Sequence, residues 1–446
     1  MSSGREPWAT RWRHAPLPVA LRNTASTLFR EVKIFDGRSD QLSDPTNVLV
    51  TGNTIATISP QVDPAAGGEQ RTVIDGGGRV LMPGLIDAHA HLWFETLPWQ
   101  VGAAADSSYI DIVSGIAAQA LLMRGFTTVR DAGGPVFGLK RAIDEGLVAG
   151  PRIFPSGAFI SQTSGHGDFR SRYEVPRGIC GHLSHQELVG TVAIADGVGE
   201  VLRAVREQLM LGASQIKMMA GGAVISPYDP IDVTEYTEAE LRAGVEAAAN
   251  WGTYVLIHAY SPRAVQQGIW AGVRCIEHGH LLDEETVAMM AEHEVWWSLQ
   301  PFLDDEDAIP IPDPARRPKQ LQISNGTDTA YQLAKKHQIK LAWGTDTTFD
   351  AKLAGRRGAQ LAKMTRWFTP AEVLQMATSA NAELLAMSGQ RNPYPGRLGV
   401  VEEGALADLL LVDGNPLQDL SLVATPDTCF SVIMKDGRIH KNELAS

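Results

Sequence analysis

The chain has 446 residues, 44% of them hydrophobic, enough for a large catalytic domain with accessory structure and a substantial core. Its formal net charge of −12 argues against a nucleic-acid surface, which needs an excess of Lys and Arg. The three cysteines, Cys180, Cys275 and Cys429, lack CxxC spacing; they exclude a disulfide framework and fit a reducing cytoplasm.

Residues 1–24 are basic but carry no continuous apolar stretch, so no secretory signal is evident. They read as an arm, either loose or anchored on a neighbour through Trp8, Trp12 and Pro16. Nowhere is there the run of roughly 20 apolar residues that a membrane helix requires. Next come short β-rich runs punctuated by Gly, Asp and Asn: LFREVKIFDG, NVLVTGNTIATISP and RTVIDGGGRVLMPG. The tail echoes them in ADLLLVDGNP and CFSVIMKDGRIH. Residues 25–82 and 395–446 are therefore expected to share one small β-sandwich that brackets residues 83–394.

The middle alternates strand-like and helix-like segments. Apolar or β-rich runs occur at GLIDAHAHL, TTVRDAG, RIFPSGA, QIKMMAG, YVLIHAY, RCIEHGH, VWWSLQP and KLAWGTD. Helical patterns such as EVLRAVREQLMLGA, TEAELRAGVEAAANWG, SPRAVQQGIWAG and DEETVAMMAEHE lie between them, several ending at Gly before the next strand. Eight such runs predict an α/β chain built as a (β/α)8 TIM-like barrel. An open doubly wound sheet fits less well, because no GxGxxG follows the first strand.

Several of these runs end in residues that bind metals. His89 and His91 alternate in one strand and so share a face. His258 ends VLIH, His278 ends CIEH, and Asp346 ends WGTD. Each histidine alone reads more readily as a core residue, and Asp346 alone as the N-cap of a following helix. Gathered at the C-terminal mouth of a barrel, they form an N/O ligand set suited to Zn2+ with a position left for water. Lys217, ending QIK, reads elsewhere as a surface cation. Beside metal ions an ammonium is repelled, whereas a carbamate on its nitrogen offers two anionic oxygens to bridge two ions.

Taken together, these motifs resemble the amidohydrolase superfamily along nearly the whole chain, and EGALADLLLVDGNP resembles the tails of that superfamily. The resemblance implies a distorted barrel with a β-sandwich and a binuclear centre of two divalent ions, Zn2+ foremost. His89, His91 and Asp346 would hold one ion and His258 and His278 the other, with carboxylated Lys217 bridging. A hydroxide between the ions would attack the carbonyl, and Asp346 would carry its proton to the leaving nitrogen. IKMMAGGAVISPYDP, SGHGD and HAYSPRAV are similar to the imidazolonepropionase-related group, which includes prolidase-like Xaa-amino acid dipeptidases and ochratoxin-type amidases.

That likeness implies a small-molecule amide substrate, a dipeptide or N-acyl amino acid, whose product carries a free α-carboxylate; the alternative is a cyclic-amide or imidazolonepropionase-type ring hydrolase. His166 either polarises the scissile carbonyl or binds substrate, or it braces its loop. Tyr260, on the same face as His258, is a candidate for the substrate carboxylate, with Tyr228 and Arg170 as further candidates in loops. His280 reads as a residue behind the ligands or as the entry to a helix. The segment QPFLDDEDAIPIPDPARRPKQ reads as a loop over the mouth or a solvated excursion, with Arg316 and Arg317 as candidates for an anionic substrate. The resemblance further implies a homo-oligomer, an octamer among the options.

Overall fold

The computed structural model describes residues 26–62, 71–226, 228–311 and 313–444, so the expected arm at 1–24 lies outside the described residues. Eight strands fall on the eight predicted runs. Leu85–Ala90, Phe126–Asp131 and Arg152–Pro155 form one parallel sheet. Ile216–Met219, Val255–Ala259, Cys275–His278, Trp296–Leu299 and Leu341–Trp343 follow in order within a second. Nearly every residue in them is buried, as expected of parallel strands covered on both faces.

Hydrogen bonds join the edges of the two sheets. The Ser214 amide donates to the Pro155 carbonyl (2.8 Å), and the Asp346 amide to the His89 carbonyl (2.9 Å). Asn381 Nδ2 donates to the Ile86 and Trp343 carbonyls at 2.7 and 2.8 Å, tying the first barrel strand to the eighth. The result is a TIM-barrel-like α/β fold.

The chain departs from the predicted run RIFPSGA at Gly157, whose φ of 74° turns it in the left-handed region. Beyond that turn, Phe159–Ser161 pairs in parallel with Val192–Ile194, adding two short strands that the sequence reading did not anticipate. The predicted helices appear at Gly197–Leu211, Glu238–Ala249, Pro262–Ala271 and Glu284–Glu292. Thr237 and Glu240 close a capping box on the second, while Gly212 and Gly272 end the first and third in left-handed conformations.

Strands from both ends of the chain connect in one eight-stranded sheet. Its path runs Arg438–Asn442, Phe430–Lys435, Leu409–Val412, Val80–Pro83, Ser26–Ile34, Thr46–Thr51 and Thr54–Ile58, with Arg71–Asp75 also paired to Ser26–Ile34. It has its own core, which includes Phe29, Val48, Ile55, Leu409, Leu411 and Val432. A buried ion pair fastens this sheet to the barrel: Arg152 Nε lies 2.8 Å from Asp408 Oδ2, and the Asp408 carbonyl accepts from the Gly84 amide at 2.8 Å.

Candidate active site

Six predicted ligand residues line one cavity of about 1000 Å³ at the C-terminal ends of the barrel strands: His89, His91, Lys217, His258, His278 and Asp346. Their nitrogens are aimed by bonds on the far side of each ring. His89 Nδ1 donates to Glu277 Oε2 (2.6 Å), His91 Nδ1 to the Gly133 carbonyl (2.9 Å) and His278 Nδ1 to Gln300 Oε1 (2.7 Å). Each of these leaves Nε2 unprotonated, with its lone pair free for a metal ion. His258 is reversed: its Nε2 donates to the Gly222 carbonyl at 3.2 Å, which leaves Nδ1.

The unprotonated faces converge. His89 Nε2 and His91 Nε2 lie 3.2 Å apart, and Asp346 Oδ1 lies 3.4 and 3.3 Å from them. Two imidazole lone pairs and a carboxylate at such separations repel one another, and a cation placed among them removes the conflict. His258 and His278, with ring centroids 4.5 Å apart, supply a second pair of donors beside the first. The residues present therefore fit divalent ions.

The local backbone is built for this convergence. His278 and Asp346 have φ of 75° and 51°. Such conformations cost roughly 1–3 kcal/mol for non-glycine residues and concentrate at functional sites. Gly344 allows the eighth strand to approach the first, since a Cβ there would meet the His89 amide nitrogen at 2.6 Å. Asp346 is not a helix N-cap; Asp350 caps the next helix, Ala351–Gly355.

Electrostatics follow from burial. Burial pushes the Lys217 ammonium down to about 8, against the opposing pull of Glu277 and Asp346. Burial also disfavours ionised Asp346, but His89, His91 and Lys217 outweigh it and hold the carboxyl well below its usual range. His258 and His278 are driven far down, chiefly by burial, which keeps them neutral and able to donate a lone pair.

His166 and Tyr260 also line the cavity. His166 lies 4.4 Å from His258 between ring centroids, its Nδ1 is 3.0 Å from Ser226 Oγ, and its amide donates to Glu235 Oε1 at 2.7 Å. Tyr260 stacks on His278 at 5.2 Å. Arg170 and Tyr228 are not brought to the ligand cluster; they line an adjoining outer cavity of about 1640 Å³. There the Arg170 guanidinium is taken up by Asp168 at 2.5 and 2.7 Å, and the Tyr228 hydroxyl donates to the Arg170 carbonyl. Arg316 and Arg317 are likewise engaged, Arg316 with Asp313 and the Ile225 carbonyl, Arg317 with Asp304.

Part of the segment after the seventh strand does cover the mouth, where Phe302, Leu303, Ile309 and Ile311 line the inner cavity. His280 precedes the helix capped by Asp283; its Nε2 donates to the Gln300 carbonyl at 2.9 Å, so Gln300 braces both His278 and His280.

The sequence reading missed the charged residues behind the ligands. Glu277, which aims His89, is paired with Arg130 at 2.7 Å, and both are fully buried. Asp87 accepts the His89 amide and the Thr345 hydroxyl, and pairs with buried Arg357, which also reaches Glu95 at 2.5 Å. Their signal was a charge inside an apolar run: Asp87 in LID, Arg130 in TTVR and Glu277 in CIE.

Among the described residues no helix is long and apolar enough to cross a membrane. The amidohydrolase family profile matches residues 80–440. Ochratoxinase from Aspergillus niger is 31% identical over 393 residues, which cover 81% of this chain and 76% of the ochratoxinase. A crystal structure described as an amidohydrolase superposes with a TM-score of 0.85 at 36% identity, covering 94% of this chain and 100% of its own. A prolidase solved with N-methylphosphonate-L-proline gives 0.84 at 33%, with the same coverage. The chain belongs to the amidohydrolase family and is a hydrolase of amide bonds.

Proposed function

We propose that this hydrolase cleaves the amide of a dipeptide or N-acyl amino acid and releases a product with a free α-carboxylate. The observation that carries this is the convergence of six ligand-type side chains in one cavity, in a chain similar to an ochratoxinase and a prolidase. His89, His91 and Asp346 would hold one divalent ion, His258 and His278 the other, and Lys217, as the carbamate formed by its neutral amine with CO2, would join them; Zn2+ suits this N/O set. Bound ions of this kind acidify water and polarise carbonyls.

Asp346 accepts the proton of the attacking water and passes it to the leaving nitrogen. His166 supports the carbonyl and Tyr260 meets the carboxylate, whereas Arg170 and Tyr228 shape the outer cavity. Three free cysteines fit a reducing cytoplasm, and exposed Ile112, Ile116, Ile179 and Leu188 support a homo-oligomer.

The test is a hydrolysis screen of protein loaded with zinc and bicarbonate, using dipeptides, N-acyl amino acids and cyclic imides, beside a metal analysis. Near two equivalents of metal and release of amino acids are expected. Less than half an equivalent with no release, or turnover of the cyclic imides alone, would refute the reading.

A further inference from the structure

A third cavity, of about 960 Å³, shares no lining residue with the two at the mouth. Its walls come from stretches far apart in sequence. Ala120, Met123 and Arg124 belong to the end of the helix Ser107–Met123, Gly355 ends the helix Ala351–Gly355, and residues 424–428 supply the rest.

Arg124 sets this cavity apart. Its side chain is half-buried, yet it has no ion-pair or hydrogen-bond partner among the described residues. Burial disfavours its charge, and Glu95 and Asp427, neither in contact with it, offset this only in part. Three arginines buried more deeply are all satisfied: Arg130 by Glu277, Arg152 by Asp408, and Arg357 by Asp87 and Glu95. A partly desolvated cation left unmatched by its own chain gains from an anion that a ligand brings.

The same cavity also carries the opposite charge. The Asp427 side chain is exposed and likewise unpartnered among the described residues. Its turn is held in place, because Lys441 Nζ donates to the Pro426 and Asp427 carbonyls at 3.0 and 2.8 Å. Arg124 and Asp427 thus line one cavity without closing on each other. Much of the remaining lining is apolar, from Ala120, Met123 and Pro426, and exposed Ile116 stands one turn before Ala120 on the same helix face.

A ligand matching these features has a carboxylate, a neighbouring ammonium and an apolar side chain. We propose that this cavity is a second ligand site, which binds a free apolar α-amino acid as its zwitterion. The carboxylate meets Arg124, the ammonium meets Asp427, and the side chain lies against Ala120, Met123 and Pro426. A simple anion is attracted by Arg124 but opposed by Asp427, and a simple amine the reverse. No bond is made or broken here, and the assignment is independent of which amide the catalytic cavity hydrolyses.

The experiment is equilibrium dialysis of radiolabelled L-leucine against the zinc-loaded full chain. One class of binding should weaken by about tenfold or more in Arg124→Met and in Asp427→Asn. Leucine held in the catalytic cavity is unaffected by either change. Arg124→Lys, which keeps the charge, should retain part of the binding. Removing an unmatched, half-buried cation should leave the denaturation midpoint of Arg124→Met at or above that of the wild type, which separates lost binding from lost folding. Unlabelled 4-methylpentanoate, which is leucine without its ammonium, should compete about tenfold less well than leucine in the wild type and equally well in Asp427→Asn. Leucine binding that is the same in the wild type and both variants overturns the proposal, as does no binding up to about 10 mM. So does inorganic phosphate competing as well as leucine, which would make this a bare anion site.

Discussion

Replacing Glu277 by Gln tests the support behind the ligand cluster most directly. Glu277 Oε2 accepts from His89 Nδ1 at 2.6 Å and Oε1 accepts from Arg130 Nη2 at 2.7 Å, with both carboxylate and guanidinium fully buried. Burial opposes the charge on Glu277, but Arg130 and His89 outweigh it and hold the carboxyl far below its usual range. Its contribution is therefore complete above the unfolded value of about 4.3 and is lost as the pH falls below it.

A Gln amide cannot serve both neighbours. If its NH2 faces His89, the ring must move its proton to Nε2 and block the ligand lone pair; if it faces Arg130, two donors oppose each other. Removing one partner of a buried pair costs about 3–5 kcal/mol, and losing the group that aims a ligand costs about 10- to 100-fold in metal affinity. Denaturant unfolding of the metal-free protein and zinc titration would read the two effects separately. A Glu277→Leu, Arg130→Met double variant should regain much of the stability but not the affinity. A wild-type denaturation midpoint together with wild-type zinc affinity in Glu277→Gln would refute the reasoning.

Gly344→Ala places a Cβ 2.6 Å from the His89 amide nitrogen, so the eighth strand must move away from the first; zinc affinity should fall by about tenfold or more, checked by titration. Arg357→Met leaves the carboxylates of Asp87 and Glu95 buried without their cation, at a cost of about 3–5 kcal/mol in denaturant unfolding near pH 7. Glu235 is nearly fully buried, and burial pushes its carboxyl up to about 8. The folded state therefore holds a proton that the unfolded state releases, and stability should decline from about pH 4.5 through about pH 8. Glu235→Gln keeps an oxygen for the His166 amide and should flatten that decline; identical pH slopes in the two proteins would refute the assignment.

The ligand cluster was legible because strand parity and the ends of apolar runs are local features. His89 and His91 share a face by alternation alone, and His258, His278 and Asp346 each close a run that the fold places at one mouth. The supporting pairs were not legible, because Glu277 finds Arg130 across 147 positions and Asp87 finds Arg357 across 270. Where the side chains of Arg170 and Tyr228 go was not legible either. Their residue types suit a carboxylate, but only the tertiary structure shows Arg170 already bound to Asp168. The two strands at Phe159–Ser161 and Val192–Ile194 depend on a turn at Gly157 that one glycine among many does not announce.

The strand Val80–Pro83 has a consequence for how the chain is made. It leads directly into Leu85–Ala90 and the pair His89 and His91, yet on one side its partner among the described residues is Leu409–Val412, more than three hundred residues later. A ribosome delivers His89 and His91 long before it delivers that partner. During synthesis the barrel thus emerges with one flanking strand open along an edge, a surface that other chains can pair with. Loop closure over so long a span slows the final step. Synthesis of Leu409–Val412, rather than emergence of His89 and His91, becomes the moment at which this enzyme can complete its fold.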